Sequence, residues 1–217
     1  MRLMISYPTS GMHCAAFSYS KDNMVGYMLT ANPVPDLQFQ VGLSQGSNWI
    51  ENREDIAERA RDKGFTHLCF LDDDMVFAPD VLVSMIGHIK SGCDIVLTNY
   101  LVKEWPPKTF STIGLDGERV ITRRNSTGIM EVLAGGFGVS IMTTDLFRKV
   151  PQPWYLPNWN QHTGYGTEDT AFFHRCREAG FRLWVDQDAS KKVAHNGQFQ
   201  WSWQHYEKYG PESEVAV

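Results

Sequence analysis

Three consecutive carboxylates, Asp72, Asp73 and Asp74, directly follow the apolar run 68–71. A run this short without polar alternation predicts a strand buried on both faces, which is therefore parallel and central. The acids then lie at the carboxyl end of the strand, where open α/β sheets bind ligands. On an extended backbone Asp72 and Asp74 point the same way and Asp73 the other way. Two such carboxylates suit Mg²⁺ or Mn²⁺, which keep positions for waters and phosphate oxygens; a solvated acidic turn is the alternative.

A second candidate for chemistry is the acid pair Glu168 and Asp169. Thr167 is expected to cap a helix that ends at Gly180, so both acids occupy its first turn. Acids at this position stabilise a helix through its dipole, which is the structural alternative to a catalytic role. His195 follows another short apolar strand, and a single histidine in that position has either a structural or a functional role.

Strands and helices alternate through the first hundred residues, which predicts a parallel α/β sheet. We expect strands at 2–7, 37–43, 68–71 and 93–98, with helices at 48–63 and between Pro79 and Gly92. These elements must position the acids, because the carboxyl ends of parallel strands share one edge of a sheet.

Two features near that edge could bind a nucleotide. The first strand runs into a turn that contains Pro8, Thr9 and Ser10, although an ordinary strand-to-helix loop has the same composition. Arg53 lies near the start of a helix, from which its side chain could reach a phosphate; a surface charge is the alternative.

The texture of the sequence changes after residue 100. The strand-like run 131–142 contains Gly135 and Gly136, which indicate either close approach of a ligand or a bulge. The loop 154–162 is rich in aromatic and amide side chains, and Trp154 and Trp159 could face the C–H surface of an acceptor sugar or belong to the core.

Composition narrows the class of protein. A chain of 217 residues that is 42% hydrophobic can bury a full core and is expected to form one domain. A net charge of -5 without a basic stripe argues against a clamp for nucleic acid. The four separated cysteines are expected to be reduced, packed thiols. No apolar run approaches the roughly 18 residues of a membrane span, and the first residues turn polar early, so we expect a cytoplasmic protein.

These segments together resemble the GT-A nucleotide-sugar glycosyltransferases, in particular the group related to glycosyltransferase family two. The resemblance rests on four motifs in the family's order: Phe-Leu-Asp-Asp-Asp at 70–74, Ala-Gly-Gly-Phe-Gly at 134–138, Gly-Thr-Glu-Asp at 166–169, and His195. It implies a Rossmann-like GT-A fold, with a mostly parallel central sheet flanked by helices and a smaller acceptor-side subregion. Within one domain, residues 1–217, the nucleotide-sugar-binding half would cover about 1–100 and the acceptor-side half about 101–217.

The resemblance also implies roles for individual residues. Asp72, Asp74 and His195 would bind Mn²⁺ or Mg²⁺, while Asp169, with Glu168 beside it, would act as general base. The residues expected to bind the nucleotide sugar are Pro8, Thr9, Ser10, Arg53, Asp72, Asp73, Gly135 and Gly136. The implied reaction is metal-dependent transfer of a sugar from a nucleoside-diphosphate sugar, with a UDP-sugar favoured, to an acceptor hydroxyl that the sequence does not identify.

Other function classes use similar acids. A nucleotidyltransferase of related build would carry a glycine- and lysine-rich phosphate loop near the N-terminus, which the turn at 8–11 is not. A metal-dependent phosphohydrolase would need no sugar donor. A non-catalytic sugar-nucleotide-binding module would bind the donor without releasing a nucleoside diphosphate.

Overall fold

The computed structural model describes residues 1–160, 164–197 and 199–213, and side chains within these ranges apart from those of 159, 160, 164 and 165. The strands are β1 (Arg2–Thr9), β2 (Gln38–Gln45), β3 (His67–Leu71), β4 (Met75–Phe77), β5 (Ile95–Leu97), β6 (Ile113–Gly114), β7 (Ile129–Ala134), β8 (Val139–Thr143), β9 (Trp159–Asn160), β10 (Gly164–Tyr165), β11 (Leu183–Asp186), β12 (Val193–Asn196) and β13 (Gln200–Trp201). The helices are α1 (Ala15–Thr30), α2 (Trp49–Asp62), α3 (Val81–Lys90), α4 (Leu146–Lys149), α5 (Glu168–Glu178), α6 (Gln187–Ser190) and α7 (Trp203–Tyr209).

The central sheet contains eight strands in the order β2-β1-β3-β8-β5-β11-β7-β6. β1 pairs in parallel with β2 and β3, and β5 pairs in parallel with β11. β8 lies antiparallel between β3 and β5, and β7 lies antiparallel between β11 and β6. In this sheet β7 and β8 therefore oppose the direction of the other strands, and the predicted mostly parallel α/β sheet is confirmed.

Strand β3 is buried on both faces, as its apolar sequence predicts. Leu68 and Phe70 belong to the hydrophobic core on one side of the sheet, whereas Cys69 and Leu71 belong to the core on the other. This alternation is the two-residue period of a strand packed between two layers. The strand therefore holds its carboxyl end at a fixed place between the two layers.

Helix α2 follows its sequence signals closely. The Asn48 side chain caps the helix by accepting hydrogen bonds from the backbone N–H groups of Ile50 and Glu51. Its apolar face is buried against the sheet, and Gly64 ends the helix with φ +69°. The start of α2, which carries Trp49 and Arg53, is thereby placed at the sheet edge.

The run 131–142 is not one strand, and this prediction was wrong. β7 ends at Ala134 and β8 begins at Val139, and the two lie at different positions in the sheet, with the glycine-rich segment between them. The eight-stranded sheet also mixes the two predicted halves of the chain, because β8 lies between β3 and β5.

Two further features of the described residues are the state of the cysteines and the length and polarity of the helices. All four cysteines are free. Cys69 and Cys176 are buried, as predicted for packed thiols, whereas Cys14 and Cys93 are half-buried. Among the described residues, the helices are all too short or too polar to cross a lipid bilayer.

Candidate functional site

An open cavity of about 250 Å³ lies at the carboxyl end of β3. The start of α2, the acidic turn after β3, the loop after β5, the start of α5 and strand β12 all contribute to its wall. The residues that line it are Trp49, Arg53, Asp72, Asp73, Asp74, Tyr100, Glu168 and His195. The fold thus brings both acidic clusters and the late histidine to one place.

The three acids form a tight turn rather than an extension of β3. Asp72 N donates to Gly138 O at 2.9 Å, and Met75 N donates back to Asp72 O at 3.1 Å, so the chain reverses into β4. The prediction that the three acids continue the extended backbone of the strand was therefore wrong. The three acids are not divided between two sides either, because Asp72, Asp73 and Asp74 all line the cavity, although Asp73 is only 8% exposed.

His195 meets Asp74 because two short strands pair. β12 lies antiparallel to β4 with His195 opposite Met75, and Asn196 N donates to Asp74 O at 2.7 Å. His195 Nε2 lies 3.0 Å from Asp74 Oδ2, while its Nδ1 lies 3.2 Å from Leu101 O. The backbone carbonyl orients the imidazole so that Nε2 faces the carboxylate.

A lysine binds the same carboxylate oxygen. Lys103 Nζ donates to Asp74 Oδ2 at 2.6 Å. Burial disfavours ionisation of Asp74, but the hydrogen bonds and charges of His195 and Lys103 outweigh it and lower its pKa to about 2. Asp74 is therefore ionised throughout the physiological range.

Arg53 is a buried cation that joins the two acidic clusters. Its Nη2 donates to Asp72 Oδ1 at 2.7 Å, and its Nε lies 3.7 Å from Glu168 Oε1. The guanidinium carbon lies 4.4 Å from the centre of the Phe137 ring, and the residue is 4% exposed. Burial lowers the Arg53 pKa, but the charges of Asp72 and Glu168 raise it above its ordinary value, so the cation is permanent.

The acid pair at the start of α5 divides into two environments. Glu168 lines the cavity beside Arg53. Asp169 Oδ1 accepts hydrogen bonds from Thr170 N, at 2.7 Å, and from the Thr167 hydroxyl. Burial, opposed by the Thr167 hydrogen bond and reinforced by the charge of Glu168, raises the Asp169 pKa. The Asp169 carboxylate therefore binds a proton more tightly than a free aspartate does.

The glycine-rich segment accommodates an aromatic ring. A Cβ atom at Gly136 would overlap the Tyr100 hydroxyl, and one at Gly138 would lie 2.5 Å from the Tyr100 ring. A Cβ at Gly135 would lie 2.8 Å from a methyl group of Leu97. Close packing of the protein on itself explains these glycines, and the predicted role of Gly135 and Gly136 in binding a nucleotide sugar stays a prediction.

The predicted nucleotide turn lies beside the cavity. Pro8 and Thr9 are buried at the end of β1, and Ser10 is exposed. Thr9 lies next to the acidic turn, where its side chain opposes the rise that burial causes in the pKa of Asp73.

The acceptor prediction for Trp154 was wrong. This indole is 1% exposed, packs on Phe147 with ring centres 5.0 Å apart, and donates from Nε1 to Val150 O at 2.8 Å. A side chain enclosed in this way has no face left for an acceptor. Trp159 lies in β9, and its side chain falls outside the described part of the structure.

Solved structures with a similar fold exist at low sequence identity. A197 from STIV is 19% identical, with 91% of this chain and 87% of that chain covered and a TM-score of 0.61. The chain shares its α/β fold with A197. Two further matches have lower TM-scores: a glycosyltransferase involved in the glycosylation of the major capsid of PBCV-1 (11% identity, 90% and 93% covered, 0.48), and the catalytic domain of Drosophila β1,4-galactosyltransferase 7 (13%, 91% and 72%, 0.49). No family model and no curated protein matches the sequence.

The GT-A resemblance implies a divalent cation at the acidic turn. Asp74 Oδ2 and His195 Nε2 present two ligand atoms to one point, and the Lys103 ammonium on that oxygen is a positive stand-in for such an ion. Arg53 holds Asp72 instead, and the described residues contain no group of three or more His, Cys, Asp or Glu side chains arranged to hold a metal. The predicted trio is therefore not assembled. Two protein ligands still fit Mg²⁺ or Mn²⁺ that takes its other ligands from waters and phosphate oxygens.

The sequence analysis missed three residues at or beside the cavity. Trp49 is 41% exposed at the cavity rim and precedes Arg53 by one helical turn, so the same helix-start signal could have indicated it. Tyr100 follows a predicted strand and could have been proposed on that ground. Lys103 carries no sequence signal, because only the pairing of β4 with β12 brings Asp74 and His195 together next to it.

Proposed function

We propose that this protein transfers a sugar from a nucleoside-diphosphate sugar to an acceptor hydroxyl. The favoured donor is a UDP-sugar, and the reaction depends on a divalent cation. The observation that carries the proposal is the pairing of Asp74 with His195 in the same cavity as Arg53 and Glu168. Such a cavity offers a place for a diphosphate and its cation opposite a second set of carboxylates. The GT-A-like fold is consistent with this chemistry, and function depends on the site rather than on the fold.

The donor's diphosphate would be held near Asp74 and His195. A divalent ion bound by these two side chains would neutralise the charge that develops on the leaving diphosphate. Arg53 fixes the Asp72 carboxylate through the hydrogen bond from Nη2. Trp49 offers a partly exposed indole face at the rim, which suits stacking against a nucleobase.

Asp169 would accept the proton of the acceptor hydroxyl. The hydrogen bonds that it accepts from described residues go to Oδ1, so Oδ2 is the atom that can receive the proton. Its raised pKa makes it a better base than a free aspartate. Glu168 pairs with Arg53 and would thereby position the start of α5 at the site.

The acceptor would approach over the start of α5. A second cavity of about 530 Å³ lies there, with Thr170, His174 and Arg177 on its wall together with the apolar residues Ile113, Leu133 and Ala134. Thr170 directly follows Asp169, so a hydroxyl group bound in this cavity would be near the proposed base.

A thermal-shift screen of nucleotide sugars, with and without Mn²⁺, tests the proposal. A ligand at 100 times its Kd stabilises the folded state by about 2.7 kcal/mol, which shifts the Tm of a chain of this size by roughly 5–10 °C. We expect one nucleotide sugar to give such a shift with Mn²⁺, and to release its nucleoside diphosphate when acceptors are supplied.

The variant Asp74→Asn should lose this shift. Asp80→Asn is the matched control, because Asp80 also binds a lysine, Lys192, at 2.6 Å but does not line this cavity. Absence of a shift with every nucleotide sugar, or hydrolysis of simple phosphodiesters at the same site, would contradict glycosyl transfer.

A further inference from the structure

Two lysine–aspartate pairs in this protein have nearly the same geometry. Lys103 Nζ lies 2.6 Å from Asp74 Oδ2, with side-chain exposures of 35% and 41%. Lys192 Nζ lies 2.6 Å from Asp80 Oδ2, with exposures of 35% and 42%. The Lys103 pair differs in its surroundings, because the same Asp74 oxygen is also bound by a histidine. The two pairs thus separate the effect of an ion pair from the effect of its position.

The position of Lys103 is that of the expected cation. Asp74 Oδ2 and His195 Nε2 are the two atoms that the site offers to a divalent ion, and the ammonium now occupies the oxygen. An ammonium group and a divalent ion repel each other strongly at the separation that sharing one oxygen would impose. Only one of them can therefore occupy Asp74 Oδ2 at a time.

Lys103 has a long side chain whose backbone is held in place. Its stem passes Gly197, where an added Cβ would lie 3.3 Å from Lys103 Cδ, so its path beside β12 is narrow. Its backbone is held, because Val102 N donates to Thr109 O at 2.9 Å, and Leu101 O orients His195. The Lys103 side chain is 35% exposed and has a flexible four-carbon stem, so its ammonium can rotate away from Asp74.

We propose that Lys103 is a built-in counter-ion that competes with the divalent cation for Asp74 and, once displaced, binds a phosphate of the donor. The inference rests on the function proposed above. In the free protein Lys103 neutralises Asp74. When a cation and a nucleoside diphosphate enter together, the released ammonium gains a negatively charged partner, so the two ligands bind with positive coupling.

This mechanism predicts opposite effects of one substitution. In Lys103→Met the competing charge is gone, so Mn²⁺ alone should bind about fivefold more tightly, the factor expected for loss of a partly exposed ion pair. With Mn²⁺ saturating, UDP should bind about tenfold more weakly, because a charge-assisted hydrogen bond to phosphate is lost. Electron paramagnetic resonance titration of free Mn²⁺ and calorimetric titration of UDP measure the two constants on the folded, full-length chain.

Lys192→Met is the matched control and should change neither constant. If Lys103→Met weakens the binding of Mn²⁺ as well as of UDP, Lys103 only holds Asp74 in place and the proposal is overturned. Unchanged constants in Lys103→Met also overturn it, as does wild-type protein that binds UDP equally well with and without Mn²⁺. The function proposed above fails separately, when the wild-type protein binds neither UDP nor any nucleotide sugar.

Discussion

The two acidic clusters at the cavity place their aspartates in different environments. Asp72 and Asp74 each have a cation within hydrogen-bond distance, Arg53 and Lys103 respectively, and the Asp74 pKa falls to about 2. Asp169 is bound by a hydroxyl and a backbone N–H, and burial raises its pKa. The environment thus lowers the pKa of Asp74 and raises that of Asp169, which suits Asp74 to a permanent charge and Asp169 to the proposed role of proton acceptor.

Removal of the proton acceptor should have the largest effect. Asp169→Asn keeps an oxygen that can accept the hydrogen bonds of Thr167 and Thr170, but it cannot accept a proton. We expect the rate of transfer to fall by about 10²–10⁴-fold, with the donor Kd unchanged. Steady-state kinetics and calorimetry measure the two quantities.

The same variant should not lose stability near neutral pH. A carboxyl with a raised pKa favours the folded state only when protonated, and this contribution is lost as the pH rises through that pKa. Asn removes the buried charge, so the Tm at pH 7 should equal or exceed that of the wild type. A rate of transfer close to the wild-type rate would show that Asp169 is not the base.

Removal of the Arg53 guanidinium, which lies between the two clusters, should have the next largest effect. Arg53→Met leaves Asp72 and Glu168 without their shared buried partner. We expect the free energy of unfolding to fall by about 3 kcal/mol, near the lower end of the range for a broken buried pair, because both carboxylates keep some exposure to water. Urea denaturation measures this change.

Arg148→Met is the control for Arg53→Met. Arg148 pairs with Asp145 at 3.2 Å on the surface, with exposures of 52% and 69%, and its loss should change the stability by less than about 0.5 kcal/mol. Equal stabilities of the two variants would mean that Arg53 does not join the two clusters energetically.

The smallest expected effect is a difference in pH dependence between the two clusters. The rate of transfer should fall with decreasing pH through the raised pKa of Asp169, above the ordinary value of about 4. Asp74 stays ionised over that range because its pKa is about 2, so Asp74 contributes no change in donor affinity there. Measuring kcat and the donor Kd from about pH 4 to pH 8 separates the two clusters, and a kcat that stays level down to the pKa of a free aspartate, about 4, would contradict the proposed role of Asp169.

The sequence by itself determined most of the sheet and the two acidic clusters. The apolar run of β3, the Asn48 cap and buried face of α2, and the Thr167 cap of α5 are local signals, and each produced the predicted element. Local signals of this kind depend on residues within one or two helical turns or one strand, so they can be read without tertiary structure. The role of the glycines could not be read, because the ring that they accommodate belongs to Tyr100, more than thirty residues earlier.

Only the tertiary structure decided which charges meet. The turn after β3 sends the chain into β4, and pairing of β4 with β12 brings His195 to Asp74 across 121 positions of sequence. Arg53 and Lys103 find their carboxylates in the same way, across gaps of 19 and 29 positions. Charged side chains have no period that a sequence records, and their partners are set by the backbone register around them. The lowered pKa of Asp74 follows from those long-range contacts.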